Sequence, residues 1–179
     1  CCGFNSIGIA SAGGAGRVTA EWMINGHLNE DLFSLDIKRF QKFHSEKKFI
    51  MNRVTETLGD LYAMHWPYKQ HETSRNQKVL PYHEELKKAG ACFGESGGYE
   101  RPMWYSINGN EAKYKYSYNI QNWYPSAKYE TINARKNVGL FEMTPFAKFE
   151  LKGDKSYDEL QRICTANIKN EIGKSTYTH

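Results

Sequence analysis

GFNSIGIASAGGAG, residues 3–16, is a glycine-rich stretch that runs directly into the helical sequence RVTAEWMING of residues 17–26. Glycine adopts left-handed backbone angles freely and lets a ligand come close to the backbone. A helix N-terminus adds unpaired N–H groups and the positive end of the helix dipole. The stretch therefore favours contact with a phosphate, a carboxylate or the electron-rich edge of a cofactor ring. A tight turn with close helix packing is the alternative, and one glycine cluster does not decide between them.

Within this stretch, GAGRVTA (residues 14–20) is similar to a dinucleotide-binding fingerprint. That fingerprint requires a strand directly before it and an acidic residue about 20 positions later, at the end of a second strand. Asp36 lies near that distance, but LFSLDIKRF around it does not have the pattern of a buried parallel strand. We therefore do not predict a dinucleotide site of this type.

The bulk composition limits the function classes. The chain has 179 residues, 40% hydrophobic residues and a net charge of +4, and its mean hydropathy is −0.71. It contains no run of about 20 apolar residues, which a membrane span needs, and no signal-peptide pattern. Lysine and arginine are spread along the chain, which argues against nucleic-acid binding. The cysteines, Cys1, Cys2, Cys92 and Cys164, form no CxxC pair and predict reduced thiols in a cytosolic or matrix-like compartment.

Hydrophobic periodicity predicts an α+β fold. The expected helices cover residues 14–26, 45–64, 81–88, 125–136 and 157–164. In the second, Ser45 is the expected cap, and Ile50, Val54, Leu58 and Leu61 form one apolar face. A β-hairpin is predicted over residues 91–95 and 99–105, with Pro102 at an edge, and further strands over 138–143 and 147–152.

Tyr114, Tyr116 and Tyr118 alternate with Lys113, Lys115 and Ser117. This period of two predicts a strand with an aromatic face. Aromatic residues between lysines are also typical of single-stranded nucleic-acid sites. We favour the half-buried sheet face, because no wider basic patch accompanies the tyrosines.

The chain shows no motif of a metal or nucleophilic site. His65, His71 and His83 are spaced by six and twelve residues, and HETSR at residues 71–75 lacks the second histidine of HExxH. There is no GxSxG and no suggestive Cys/His pair. We assign no metal ligands and no catalytic residues, and we expect Glu100 and Arg101 to form an ion pair that orders the hairpin.

The residue order of GFNSIGIASAGGAGRVTAEWMING resembles the C-terminal, flavin-contacting segment of amine-oxidising flavoproteins related to D-amino-acid oxidase, and within them the sarcosine and dimethylglycine dehydrogenase branch. The resemblance implies that FAD is lined by Gly3, Phe4, Asn5, Ser6, Ile7 and Gly8. Small monomeric relatives place a lysine just after this turn to hold the substrate carboxylate. Here Ala10 takes that position, so the resemblance implies that the carboxylate clamp and the amine-oxidising residues belong to sequence outside this chain.

The rest of the chain resembles the following parts of the same proteins. The pattern GESGGYERPMWY, residues 94–105, is similar to their connector domain. From Ala134 on, ARKNVGLFEMTPFAKFE resembles the opening of the glycine-cleavage T-protein-like domain, which binds tetrahydrofolate. The family usually has Phe-Asp-x-Ser where this chain has Phe-Glu-Met-Thr at residues 141–144. The resemblance implies an FAD domain at residues 1–43, a connector at 44–124 and a truncated folate domain at 125–179, with Phe146 and Tyr177 near the folate pocket.

Together these resemblances imply an internal fragment of an FAD-dependent enzyme. The parent would oxidise an N-methylated glycine, of the sarcosine or dimethylglycine type, and pass the one-carbon unit to tetrahydrofolate. Its partners would be the amine and an electron acceptor, without nucleic acid or a membrane span, in the cytoplasm or the mitochondrial matrix. The fragment alone should be inactive. A non-catalytic regulatory or folate-binding relative with the same modules remains the alternative.

Overall fold

The computed structural model describes residues 1–107 and 109–179 and confirms an α+β chain. Five α-helices and one two-stranded sheet occur among these residues. The helices are α1 (Gly8–Asn25), α2 (Lys47–Tyr62), α3 (His83–Lys88), α4 (Tyr124–Lys136) and α5 (Ser156–Ile163), and the strands are β1 (Ala91–Ser96) and β2 (Tyr99–Tyr105). The chain divides into two compact units, Cys1–Glu142 and Met143–His179.

Helix α1 begins at Gly8, earlier than the predicted start at residue 14. The glycines at 13, 14 and 16 therefore lie inside the helix and do not form the turn that leads into it. Each glycine destabilises a helix by about 1 kcal/mol relative to alanine. The high glycine content of this stretch therefore led us to predict the start of the helix too late. The predicted end is confirmed, because Gly26 takes a left-handed φ of 75° and its N–H bonds to the carbonyl of Trp22.

Helix α2 forms where it was predicted but presents a different face to the interior. Ser45 does not cap it, because Ser45 Oγ donates to the carbonyl of Lys42 instead. Its buried residues are Phe49 and Arg53. The predicted apolar face of residues 50, 54, 58 and 61 is 36–54% exposed in the described chain. Arg53 is held in the interior by polar partners that the apolar pattern does not encode.

Strands β1 and β2 form the predicted antiparallel hairpin, joined by Gly97 and Gly98, which both have positive φ. The register pairs Cys92 with Trp104 and then Phe93 with Pro102, so Met103 is an extra residue on β2. Proline has no backbone N–H and is tolerated in a sheet at an irregularity of this kind, and Pro102 lies beside this one. The buried apolar side chains among the described residues are Phe49 on α2, Leu80 before α3, and Ala91, Cys92 and Trp104 on the hairpin.

The other predicted strands are wrong. Residues 113–118, 138–143 and 147–152 form no strand in the described structure. Tyr114 and Tyr116 instead stack with their rings 5.7 Å apart and 7° from parallel. A strand needs a partner for its backbone N–H and C=O groups, and β1 and β2 pair with each other.

Among the described residues, no helix is sufficiently long and apolar to span a lipid bilayer.

Candidate functional site

The predicted flavin-contacting residues form a tight turn that leads into α1. Gly3, Asn5 and Ser6 have positive φ values of 77°, 44° and 69°. The N–H of Ile7 closes the turn by donating to the carbonyl of Phe4 at 3.0 Å. Left-handed angles at non-glycine residues are uncommon and cluster at functional sites. The segment therefore holds its backbone in a defined and unusual shape where the sequence predicted ligand contact.

The residue that precedes α1 does not cap the N-terminus of the helix. Ile7 precedes the helix and offers no side-chain cap, and the first turn contains no acidic residue. The first N–H groups of a helix have no partner within the helix and carry its positive dipole end. Our prediction placed this positive end near Gly13, whereas the structure places it at Gly8, directly after the turn.

One face of α1 is built from small side chains. A shallow groove of about 450 Å³ runs along it and is lined by Phe4, Gly8, Ala12, Ala15 and Thr19, among others. Gly16 also lines this groove, and a Cβ atom there would meet nothing within 4 Å. The turn, the uncapped N-terminus and this open apolar face suit a flat ring with a negatively charged edge. The residues present therefore fit a flavin.

Helix α2 supports this turn from its C-terminal end. The hydroxyl of Tyr62 donates to Ser6 Oγ at 2.8 Å. At its middle, Arg53 donates to Glu95 Oε2 at 2.9 Å and to the carbonyl of Thr73 at 2.7 Å. One helix thus contacts the predicted flavin turn, the loop of residues 71–76 and the hairpin.

Glu100 orders the hairpin as predicted, but its described partner is Arg75. The Glu100 side chain is 3% exposed, and Arg75 Nε donates to its Oε1 at 2.7 Å. The backbone N–H of Asn76 donates to the same oxygen at 2.8 Å. Burial would raise the pKa of Glu100, but the hydrogen bonds from Arg75 and Asn76 outweigh it and the pKa is lowered. The carboxylate is therefore held in its charged form.

A second cleft, of about 300 Å³, lies between the hairpin and the loop, lined by Arg75, Cys92, Tyr114 and Tyr116 among others. Burial raises the pKa of the Cys92 thiol to about 11 and that of the Tyr114 phenol to about 12. Both groups are protonated at neutral pH, so neither supplies an anionic nucleophile.

The two predicted folate residues lie in the second unit. Phe146 is 53% exposed, and Tyr177 is 86% exposed with its ring against His179. Neither lines the groove along α1 or the cleft beside the hairpin. Their assignment to a folate pocket stays a prediction.

Comparison with known proteins identifies the domains. Residues 82–179, more than half of the chain, match the model of the GCVT N-terminal domain. The chain belongs to this family. Residues 25–79 match the FAD dependent oxidoreductase central domain. Our own boundaries, near residues 43 and 124, stay predictions.

Curated relatives match almost the whole length of the chain. The chain is 43% identical, over 98% of its length, to 4-methylaminobutanoate oxidase (formaldehyde-forming) of Paenarthrobacter nicotinovorans. It is 28% identical, over 99% of its length, to the mitochondrial sarcosine dehydrogenase of Mus musculus. The mitochondrial pyruvate dehydrogenase phosphatase regulatory subunit of Mus musculus is also 28% identical, over 98% of the chain. The chain spans about a fifth of the length of these relatives (21%, 22% and 21%).

The predicted resemblance to sarcosine and dimethylglycine dehydrogenases is thus confirmed, and the chain corresponds to about a fifth of the length of such proteins. Sequence reasoning missed one grouping, a contact between Glu56, Asp60 and His71. The four-residue spacing of Glu56 and Asp60 on a predicted helix indicates that these two carboxylates are neighbours, but nothing in the sequence indicates that His71 joins them.

Proposed function

We propose that this chain is part of a flavin-dependent enzyme that oxidises an N-methylated amino acid. Two relatives named above act, by their names, on 4-methylaminobutanoate and on sarcosine. Both compounds combine a methylated amine with a carboxylate. The shared chemistry therefore supports an N-methyl amino acid as the substrate class, with sarcosine or dimethylglycine as our specific candidates. The one-carbon unit would pass to tetrahydrofolate in the domain that begins in this chain.

The residues of this chain bind and position the cofactor in this proposal. When bound, FAD supplies the acceptor for the hydride removed from the amine. Backbone N–H groups at the start of α1 would donate hydrogen bonds to the electron-rich edge of the ring, and the helix dipole favours negative charge there. The turn at residues 3–8 and the small side chains of α1 would let the ring lie close to the backbone.

The observation that carries the proposal is the uncapped N-terminus of α1 beside an open face of small residues. Its test is Gly8→Leu in the full-length protein. A Cβ at Gly8 lies at an ordinary 3.6 Å from Phe4 Cβ, so the helix tolerates a side chain there. The added side chain would occupy the groove, and we expect most of the bound flavin to be lost, measured by absorbance per mole of protein.

Gly59→Leu is the matched control. Gly59 also lies within a helix, and a Cβ there meets nothing within 4 Å. This variant should retain its flavin. Equal flavin contents in Gly8→Leu, Gly59→Leu and the unmodified protein would contradict the assignment of the turn.

The folate step needs its own test, because one relative is named as formaldehyde-forming. We would follow turnover of sarcosine with and without tetrahydrofolate and measure free formaldehyde. Transfer to folate predicts that tetrahydrofolate lowers the formaldehyde released per amine oxidised. It also predicts weaker folate binding in Phe146→Ala and Tyr177→Ala. Formaldehyde release that does not respond to tetrahydrofolate would refute this step and leave the amine oxidation intact.

A second candidate, a non-catalytic regulatory subunit, is supported by the 28% identity over 98% of the chain to a phosphatase regulatory subunit. The same experiments separate the two candidates. A full-length protein that binds no flavin, or whose flavin is not reduced by sarcosine, dimethylglycine or 4-methylaminobutanoate, would favour the regulatory function.

A further inference from the structure

Three potential metal ligands from two segments of the chain meet beside α2. Glu56 and Asp60 are four residues apart and therefore lie on one face of the helix. The loop after the helix returns His71 to this face. One ligand atom from each of the three side chains lies within 4.8 Å of the other two.

The imidazole of His71 is aimed between the two carboxylates. Its Nδ1 lies 3.7 Å from Glu56 Oε1 and 3.7 Å from Asp60 Oδ2. Both distances exceed the range of a hydrogen bond. Nδ1 is buried and has no hydrogen-bond partner among the described atoms. A buried polar atom without a partner is rare in native proteins and calls for an explanation, such as a bound ion.

The surroundings hold these groups in place. Glu56 accepts hydrogen bonds from the N–H groups of Glu72, at 2.6 Å, and Thr73, at 2.9 Å. The carbonyl of His71 accepts from Arg75 Nη1 at 2.9 Å. The bonds to the Glu56 carboxylate are of the kind that orients the ligands of protein metal sites, whereas the bond from Arg75 fixes the backbone at His71.

We propose that Glu56, Asp60 and His71 bind a divalent transition metal ion, with Zn²⁺ as the best match. One imidazole nitrogen with two carboxylate oxygens is a donor set that Zn²⁺ accepts, whereas Ca²⁺ and Mg²⁺ prefer oxygen ligands throughout. Tetrahedral Zn²⁺ with bonds of about 2.1 Å places its ligand atoms roughly 3.4 Å apart. The 3.7 Å distances from Nδ1 need a shift of a few tenths of an ångström.

The ion would cross-link α2 to the loop of residues 71–76. That loop carries Arg75, which donates to Glu100 on β2. A metal at this site would thus fasten the hairpin to the helix whose last residue, Tyr62, contacts the predicted flavin turn. It is a structural site, separate from the groove along α1, and it does not depend on the proposed redox function.

Lys69 supplies the competing explanation. Its ammonium group contacts Asp60 Oδ1, so an internal cation already neutralises part of the cluster. If the three side chains bind a metal, Lys69 and the metal compete for Asp60. Removal of the ammonium group in Lys69→Met should then tighten metal binding severalfold. A cluster that serves only as a network of ion pairs gives no such gain.

The test is a Zn²⁺ titration of the chelator-treated full-length protein by calorimetry, with metal content measured after dialysis. We expect His71→Gln and Asp60→Asn each to lose one equivalent of tightly bound Zn²⁺. His65→Gln is the matched control, since His65 lies near α2 but bonds to the carbonyl of Asp60. It should retain that equivalent. Circular dichroism would verify that all variants fold.

Co²⁺ in place of Zn²⁺ gives a second readout, a visible absorption band that should vanish in His71→Gln. The same Zn²⁺ stoichiometry and affinity in His71→Gln as in the unmodified protein would overturn the proposal. So would a Lys69→Met variant that binds Zn²⁺ no more tightly than the unmodified protein does.

Discussion

Replacement of Glu100 by glutamine should loosen the hairpin strongly. The substitution keeps the shape of the side chain and removes the charge that pairs with Arg75. Loss of one partner of a buried ion pair costs about 3–5 kcal/mol. Arg75 is 22% exposed and keeps its bonds to the carbonyls of His71 and Phe93, so the lower end of that range applies. We expect a loss of about 3 kcal/mol in the free energy of opening the hairpin.

Hydrogen exchange of the full-length protein, followed by mass spectrometry, measures this locally. Every 1.4 kcal/mol corresponds to a tenfold change in an equilibrium constant, so amides of β1 and β2 should exchange about 100-fold faster. Glu30→Gln is the control, because the Arg17–Glu30 pair is exposed, at 61% and 41%. Such pairs contribute about 0–1 kcal/mol. An acceleration below about threefold in Glu100→Gln, or an equal effect of both variants, would refute the reasoning.

Three further predictions concern the same unit. Gly98→Ala should destabilise the hairpin by about 1–2 kcal/mol in a denaturant titration, because φ is +80° there and a Cβ would lie 2.6 Å from Gln41 Nε2. The pKa values of Glu56 and Glu100 are lowered in the folded protein, so their ionised side chains stabilise the fold at pH values above the ordinary pKa of 4.5. Thermal stability should therefore fall as the pH drops below 4.5, and it should fall less in a variant with glutamine at both positions. Cys92, with its pKa raised to about 11, should react with iodoacetamide at pH 8 far more slowly than the exposed cysteines, as peptide mass spectrometry would show.

The elements that sequence predicted well are those fixed by local chemistry. The hairpin follows from a glycine turn between two apolar runs, and α4 begins with Pro125 in its first turn, as expected. Gly26 ends α1 because only a residue without a Cβ takes a left-handed angle without cost. Each of these signals acts within a few residues of the feature that it produces.

The errors arise where the outcome depends on distant residues. The alternating tyrosines have the period of a strand, but no neighbouring strand is available to pair with them in the described structure. Arg53 is buried because Glu95, far along the chain, accepts its hydrogen bond. The meeting of His71 with Glu56 and Asp60 requires the path of a whole loop. Hydrophobic periodicity contains none of these pairings.

Helix α2 contacts both the predicted flavin turn and the hairpin, and so connects them within one unit. Tyr62 at its end bonds to Ser6 in the turn, and Arg53 near its middle bonds to Glu95 in β1. A helix rises 1.5 Å per residue, so the two contacts lie about 13 Å apart along a rigid element. Both contacts are made by the same helix, so α2 is the element that joins the hairpin to the turn. Because a cross-link at Glu56 and Asp60 would lie between these two contacts, metal binding would stiffen the part of the helix that joins them.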